Sequence, residues 1–204
     1  MQNKRVFLLY DRLLEESGPQ NWWPAETPYE VVVGAILTQN TNWKNVEKAI
    51  ANLKKENLLN ESSILKTENQ ELETLIRSSG FYRQKAERLK LATKKWIELQ
   101  NRKDKLQLNT PELREEWLSV KGIGKETADS ILLYAMDHPI FVIDAYTRRF
   151  CKAEFGLEFG VKDYDDCRMF FEKNLPKENA LELFKEYHAL IVEWGKRDSH
   201  WCKS

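Results

Sequence analysis

The chain has 204 residues, enough for a substantial core and for two closely packed lobes. Its 32 basic and 32 acidic residues cancel to a formal net charge of zero, which weighs against nucleic-acid binding through bulk charge alone. No apolar run reaches membrane-spanning length, the charged start Met1-Gln2-Asn3-Lys4-Arg5 is no secretory leader, and three scattered cysteines (Cys151, Cys167, Cys202) argue against a disulfide framework and fit a reducing cytosol.

The predicted elements are all helical. Lys4 to Glu16 places Val6, Leu9, Leu13 and Leu14 at helical spacing and stops at Ser17-Gly18-Pro19. A Trp22-Trp23-Pro24 loop precedes Thr27-Pro28, which opens a helix from Tyr29 to Thr38 that is apolar on all sides and so belongs at the centre of a core. Gln39-Asn40-Thr41-Asn42 breaks that helix, and Trp43 to Glu56 resumes with Val46, Ala49, Ile50 and Leu53 on one face. Short helices follow at Glu61–Lys66 and Asn69–Arg77, then a stop at Ser78-Ser79-Gly80. A long helix from Arg83 to Gln100 turns Ala86, Leu89, Ala92, Trp96 and Leu99 inward. The polar stretch 101–110 reads as a mobile connection, and Pro111 begins the helix that leads to Leu118. Four further helices are predicted at Thr127–Met136, Ala145–Phe155, Asp163–Asn174 and Asn179–Gly195. Val142-Ile143-Asp144 is a strand-like step, but no alternating pattern sustains a sheet, so the fold class is all-α.

Chemistry concentrates in Leu118-Ser119-Val120-Lys121-Gly122-Ile123-Gly124-Lys125-Glu126-Thr127-Ala128. Gly122 and Gly124 allow a tight hairpin whose backbone N–H groups can face one anion. Lys125 adds charge, and Thr127-Ala128 opens a helix, whose N-terminus favours phosphate. Most G-x-G pairs are only turns. The extended pattern K-G-I-G-K-x-T-A-x-x-I, followed by Asp144, is far more specific. Between Arg77 and Lys95, seven basic residues (Arg77, Arg83, Lys85, Arg88, Lys90, Lys94, Lys95) stand against one acidic residue, Glu87. They read either as a solvated helix face or as a basic face on a neutral protein.

This pattern resembles the helix-hairpin-helix motif of the endonuclease III superfamily of DNA glycosylases. The resemblance covers most of the chain, including Ala35-Ile36-Leu37-Thr38-Gln39-Asn40-Thr41, Gly80-Phe81-Tyr82-Arg83-Gln84-Lys85-Ala86 and His188-Ala189-Leu190-Ile191-Val192-Glu193-Trp194-Gly195. It implies a two-lobed helical architecture with an active-site cleft between the lobes. One lobe would be residues 20–130, ending in the hairpin, and the other residues 1–19 with 131–204. It implies a DNA grip by Lys121, Gly122, Ile123, Gly124, Lys125 and Thr127, and a catalytic carboxylate at Asp144, which would stabilise the positive charge that develops at the sugar. Asp144 also reads as an N-cap for the helix at Ala145, and both roles can hold, since a capping position fixes the carboxylate. Gln39 and Asn40 read either as a wedge entering the duplex beside a flipped nucleotide or as ordinary helix capping.

Two departures narrow the expectation. Superfamily members that also cut the strand carry a Schiff-base lysine where this chain has Glu126, whereas Lys125 lies one residue earlier and about 100° around the helix. The expected enzyme is therefore monofunctional, without lyase chemistry. Many relatives end in four cysteines around an iron–sulfur cluster; after Gly195 this sequence has only Cys202. No cluster is expected, while a monovalent cation at the hairpin is allowed. His188 and His200 with Cys202 have no ligand-like spacing and read as core or surface histidines. Seven tryptophans are many for this length. Trp22, Trp23, Pro24, Trp43 and Glu126 form the candidate base pocket, with the tryptophans either stacking on a cationic base or filling the core. Trp96 and Trp117 read as core. Together these features resemble the bacterial 3-methyladenine DNA glycosylase III branch, whose substrate is damaged double-stranded DNA. The resemblance implies a monomer that is cytoplasmic and nucleoid-associated, bacterial or archaeal. A mismatch or oxidised-base glycosylase of the same fold, an endonuclease III-like enzyme, and a non-catalytic DNA-binding helix-hairpin-helix protein stay open.

Overall fold

The computed structural model describes residues 2–103 and 108–197. Of the polar connection expected at 101–110, residues 104–107 lie outside the described residues, as do His200 and Cys202, while residues 101–103 continue a helix and Thr110 begins the next. Among the described residues all regular structure is helical: α1 (Gln2–Ser17), α2 (Pro28–Leu37), α3 (Trp43–Lys55), α4 (Glu61–Lys66), α5 (Asn69–Leu75), α6 (Tyr82–Lys103), α7 (Thr110–Leu118), α8 (Lys125–Ala135), α9 (Ala145–Phe155), α10 (Tyr164–Asn174) and α11 (Ala180–Arg197). Short 3-10 turns lie at Arg77–Ser79 and Val161–Asp163. The strand-like step before Asp144 is an extended segment without a partner strand.

The chain divides into two compact units, Ala25–Met136 and Met1–Pro24 with Asp137–Ser204. The lobe boundaries read from the sequence differ from these. A cut at residue 130 would sever α8 in mid-helix. Residues 20–24 belong to the discontinuous unit, where the Gln20 N–H donates to Glu186 Oε1 at 2.6 Å and Lys196 Nζ sits 5.0 Å from the Trp22 ring centroid.

In the unit Ala25–Met136, side chains set the helix starts. Thr27 accepts from the Glu30 N–H ahead of Pro28, Asn42 from Asn45, and Asn60 from Ser63. Asn109 and Glu112 exchange the reciprocal bonds of a capping box. Tyr29 through Leu37 are all buried, because α2 packs against α3, α6 and α8 together. Trp96 and Trp117 are buried as well. The charges inside this unit are paired. Glu30 meets Lys54 at 2.9 Å, and the fully buried Asp129 takes a fork from Arg114 at 2.7 and 3.1 Å. The basic face expected along α6 is reduced. Lys85 is fully buried, and Lys95 is held by Glu98 at 3.0 Å and Glu116 at 2.8 Å. Burying the Lys85 ammonium is tolerable only because two carbonyl oxygens receive it.

The discontinuous unit is built on aromatic packing. Phe141, on the buried extended segment Ile140–Ile143, stacks on Phe171 at 4.2 Å, and Phe184 and Tyr187 meet it edge-on. α11 packs on α1 and α9. Its approach to α9 depends on Gly195, where a Cβ would lie 2.3 Å from Tyr146 Cδ1. Gly195→Ala is expected to force the Tyr146 ring aside and cost about 1–3 kcal/mol, as overpacking does. Thermal unfolding checks this; an unchanged melting temperature would show that α9 and α11 tolerate more separation.

Candidate functional site

Asp144 is the N-cap of α9. Its Oδ1 accepts from the Thr147 N–H at 2.7 Å and from Thr147 Oγ1 at 2.9 Å. Both reading alternatives for Asp144 are compatible with this geometry, since the cap fixes Oδ1 and leaves Oδ2 turned elsewhere. Oδ2 faces His188 Nε2 on α11 at 3.7 Å, within ion-pair range but beyond hydrogen-bond reach. The Asp144 side chain is 17% exposed and that of His188 6%. Burial pushes the carboxyl up, but the neighbouring imidazole and the two Thr147 donors outweigh it and hold Asp144 below its ordinary value of 3.8. An ionised carboxylate with one oxygen committed and one partly open can stabilise positive charge near it. With Oδ1 already bonded to Thr147, this setting favours electrostatic stabilisation over general-base work.

In the unit Ala25–Met136 the hairpin between α7 and α8 presents Lys121, Gly122, Gly124, Lys125 and Glu126 to solvent. Two expected DNA contacts turn inward. The Ile123 side chain is buried, and its N–H donates to Val120 O at 3.0 Å, so that N–H does not face an anion. Thr127 is buried and its Oγ1 accepts from Gln39 Nε2 at 3.0 Å. α8 starts at Gly124, which has no side chain to offer the first-turn N–H groups, whereas Thr27, Asn42, Asn60, Asn109 and Asp144 cap their helices. Phosphate is the natural occupant of such a terminus.

The loop after α2 is held from below. Lys85 Nζ donates to Leu37 O at 2.9 Å and to Ser79 O at 2.6 Å, while burial, then the charge of Arg88, pushes its ammonium down to about 8. Gln39 does not cap α2; its amide reaches the hairpin, donating to Gly122 O at 3.0 Å. Asn40 is exposed on left-handed backbone at φ +54°. Phe81 is 61% exposed at φ +45°, in the turn just before α6.

The candidate pocket residues fall in both units. Trp22 and Trp23 are half-buried in the discontinuous unit, edge-to-face at 5.9 Å, beside the exposed Pro24. Trp43 opens α3 half-buried, and Glu126 is exposed in the first turn of α8.

A model of the HhH-GPD superfamily of base excision DNA repair proteins matches residues 33–177. The chain belongs to this superfamily. It is a DNA glycosylase of the HhH-GPD type, with DNA as its substrate. A Methanocaldococcus jannaschii protein provisionally named a DNA repair glycosylase is 54% identical over 195 residues, covering 94% of this chain and 87% of its own length. Endonuclease III of Thermotoga maritima is 27% identical over 170 residues, 83% of this chain and 74% of the relative. The crystal structure of H. pylori 3-methyladenine DNA glycosylase bound to 1,N6-ethenoadenine superposes with a TM-score of 0.80 at 33% identity, over 96% of this chain and 97% of that one. A trapped endonuclease III–DNA covalent intermediate shares the fold at a TM-score of 0.77 and 20% identity, over 100% and 89% of the two chains.

Sequence reasoning missed four residues of this HhH-GPD site. Thr147, three positions after Asp144, was legible as a capping partner. His188 lies 44 positions from Asp144, and no local signal links the two. Arg88 looks like a surface residue until the fold sets it against Gly122, and Phe81 looks like a core residue although it is exposed in the turn before α6. Among the described residues no group of three or more His, Cys, Asp and Glu side chains is arranged to hold a metal ion, and no helix is long and apolar enough to cross a membrane.

Because the folded-state carboxyl lies below its ordinary value, the contribution of ionised Asp144 to stability is present above pH 3.8 and lost as pH falls through the folded value. Asp144→Ala should therefore be about 1 kcal/mol less stable than wild type at neutral pH, a typical loss for an N-cap. The gap should narrow below the ordinary carboxyl range. Urea unfolding at neutral and strongly acidic pH checks this; a gap of the same size at both would show that the ionised carboxylate adds nothing to stability.

Proposed function

We propose that this glycosylase is monofunctional and releases alkylated purines of the 3-methyladenine type from double-stranded DNA in base excision repair, acting as a monomer without an iron–sulfur cluster. The observation that carries the reading is the geometry of Asp144: a carboxylate clamped at Oδ1 by Thr147, with Oδ2 facing His188 at 3.7 Å. It suits a reaction in which the base leaves unaided and the protein has only to stabilise the sugar cation. A ring-alkylated purine is such a base, since its positive charge already makes it a good leaving group.

Other features support the same reading. The half-buried Trp22 ring carries an ammonium, that of Lys196, at 5.0 Å, which is the affinity a cationic purine would use. Glu126 stands where a lyase needs an amine, and a carboxylate forms no Schiff base. The likeness to a solved 3-methyladenine glycosylase at 33% identity points the same way. A four-cysteine cluster is out of reach for three cysteines, of which Cys151 and Cys167 are buried with their sulfurs 3.7 Å apart. On DNA, the hairpin backbone and Lys121 and Lys125 would hold phosphate, while the exposed Asn40 and Phe81 are the side chains placed to enter the duplex.

In this scheme the flipped nucleotide brings its sugar to Asp144 Oδ2. Thr147 keeps Oδ1 fixed, so the carboxylate need not reorganise as the glycosidic bond lengthens. Asp144→Asn should keep the cap, because asparagine also caps well, and should slow release by about two orders of magnitude or more. Single-turnover release of 3-methyladenine from methylated duplex measures this, and wild-type-like release would remove Asp144 from the mechanism. Product strands should stay intact until alkali is added, and borohydride should trap no covalent adduct; a trapped adduct would overturn the monofunctional reading.

Trp22→Ala and Trp23→Ala separate substrate recognition from packing. A lost cation–π contact of roughly 2 kcal/mol should cost on the order of thirtyfold in release of 3-methyladenine, with binding to undamaged duplex little changed. A parallel fall in melting temperature and in every activity would mark these rings as core. Preferential release of uracil or oxidised bases would favour the other glycosylase readings.

A further inference from the structure

Gln39 is the most heavily engaged side chain of the loop after α2. Arg88 Nη1 donates to its Oε1 at 2.7 Å. Its Nε2 donates in turn to Gly122 O and to Thr127 Oγ1, each at 3.0 Å. Arg88 Nη2 donates to Gln84 Oε1 at 3.1 Å, one turn back on α6, which fixes the plane of the guanidinium. The arginine also lies directly against the hairpin: a Cβ on Gly122 would stand 2.4 Å from Arg88 Nε and 2.8 Å from Cδ. Gly122 itself sits at φ +89°, so glycine serves there both for the backbone and for the arginine.

The polarity of this chain of bonds matters. An arginine has donors only, so it accepts just one orientation of the Gln39 amide, with the oxygen toward Arg88 and the NH2 group toward the hairpin. The flipped amide would set donor against donor at Arg88 and oxygen against oxygen at Gly122. A neutral apolar residue at position 88 would leave that choice open. The groups joined are the loop carrying Asn40 and the hairpin carrying Lys121 and Lys125, not two walls of the core.

We propose that Arg88 is a positioning residue for DNA recognition, locking the Gln39 amide onto the hairpin so that the loop 38–42 and the hairpin 121–125 meet the duplex as one preset surface. The proposal rests on the reading of loop and hairpin as DNA contacts, and it deepens that reading by naming what sets their register. Preorganisation of this kind raises affinity for the target by removing the ordering that binding would otherwise require.

The test uses Arg88→Met, Arg88→Lys, Gln39→Ala and the double variant Arg88→Met/Gln39→Ala. For each, affinity is measured for an undamaged duplex and for the same duplex carrying one tetrahydrofuran abasic-site analogue, together with the melting temperature and single-turnover release of 3-methyladenine. Wild type should prefer the abasic-analogue duplex. Arg88→Met and Gln39→Ala should each lose about tenfold of that preference, with melting temperatures near wild type. Arg88→Lys, which keeps the charge and loses the fork, should resemble Arg88→Met. The double variant should be no worse than the poorer single one, because the two residues act through one bond. Losses that multiply in the double variant, an unchanged preference in Arg88→Met, equal loss on both duplexes in step with the melting temperature, or no preference in wild type would each overturn the proposal. A wild type that shows the preference and releases no alkylated base would sink the substrate reading instead, and the Arg88 result would still decide this one.

Discussion

The hydrogen bonds from Thr147 to Asp144 Oδ1 are the constraint on which the proposed chemistry depends. They do two things with one oxygen. They begin α9, since the N-terminal N–H groups of a helix need acceptors. They also add to the larger influence of the His188 imidazole in holding the carboxyl below its ordinary value, where burial alone would push it toward the neutral form. The remaining oxygen, facing His188, is thereby held at a defined position and charge. Around this pair the unit is packed rather than bonded: stacked Phe141 and Phe171 fix the extended segment leading to Asp144, and the bare Cα of Gly195 admits Tyr146.

In the unit Ala25–Met136 the constraint is of another kind. Here buried side chains hold the loop after α2 and the hairpin helix. Lys85 spends its ammonium on two carbonyl oxygens beneath the loop after α2, and Arg114 spends its fork on Asp129 beneath the hairpin helix. Neither residue can be read as surface charge, although both look so in sequence. A protein of zero net charge can still present Lys121, Lys125 and the uncapped start of α8 to a phosphate, because the local arrangement and not the sum decides.

Much of the fold was legible because it is written in local rules. Helix periodicity, Thr27-Pro28, Pro111 and the all-round apolar run of α2 each act over a few residues. The membership in a helix-hairpin-helix glycosylase family was legible from the hairpin and the spacing to Asp144, and the family match agrees. What sequence could not supply were meetings across long separations. His188 beside Asp144, Arg88 against Gly122, and Gln39 on the hairpin are consequences of packing, and no periodicity encodes them. Ile123 and Thr127, expected on DNA, have buried side chains for a related reason. A motif names a stretch of chain, but the turn of the hairpin and the first turn of α8 send some of its side chains inward. The expected lobe boundary at residue 130 follows the end of the motif, and α8 runs on to Ala135.

The central claim is that Asp144 works as a fixed anion and not as a base that changes state near neutral pH. Carbon-13 NMR of the Asp144 side-chain carboxyl, assigned by comparison with Asp144→Asn and followed through an acid titration of the folded protein, tests this most directly. The account requires the resonance to stay at its ionised position down to the ordinary aspartate value of 3.8 and to titrate only below it. A midpoint above about pH 5, well outside the usual aspartate range, would contradict it and return Asp144 to the role of a proton acceptor.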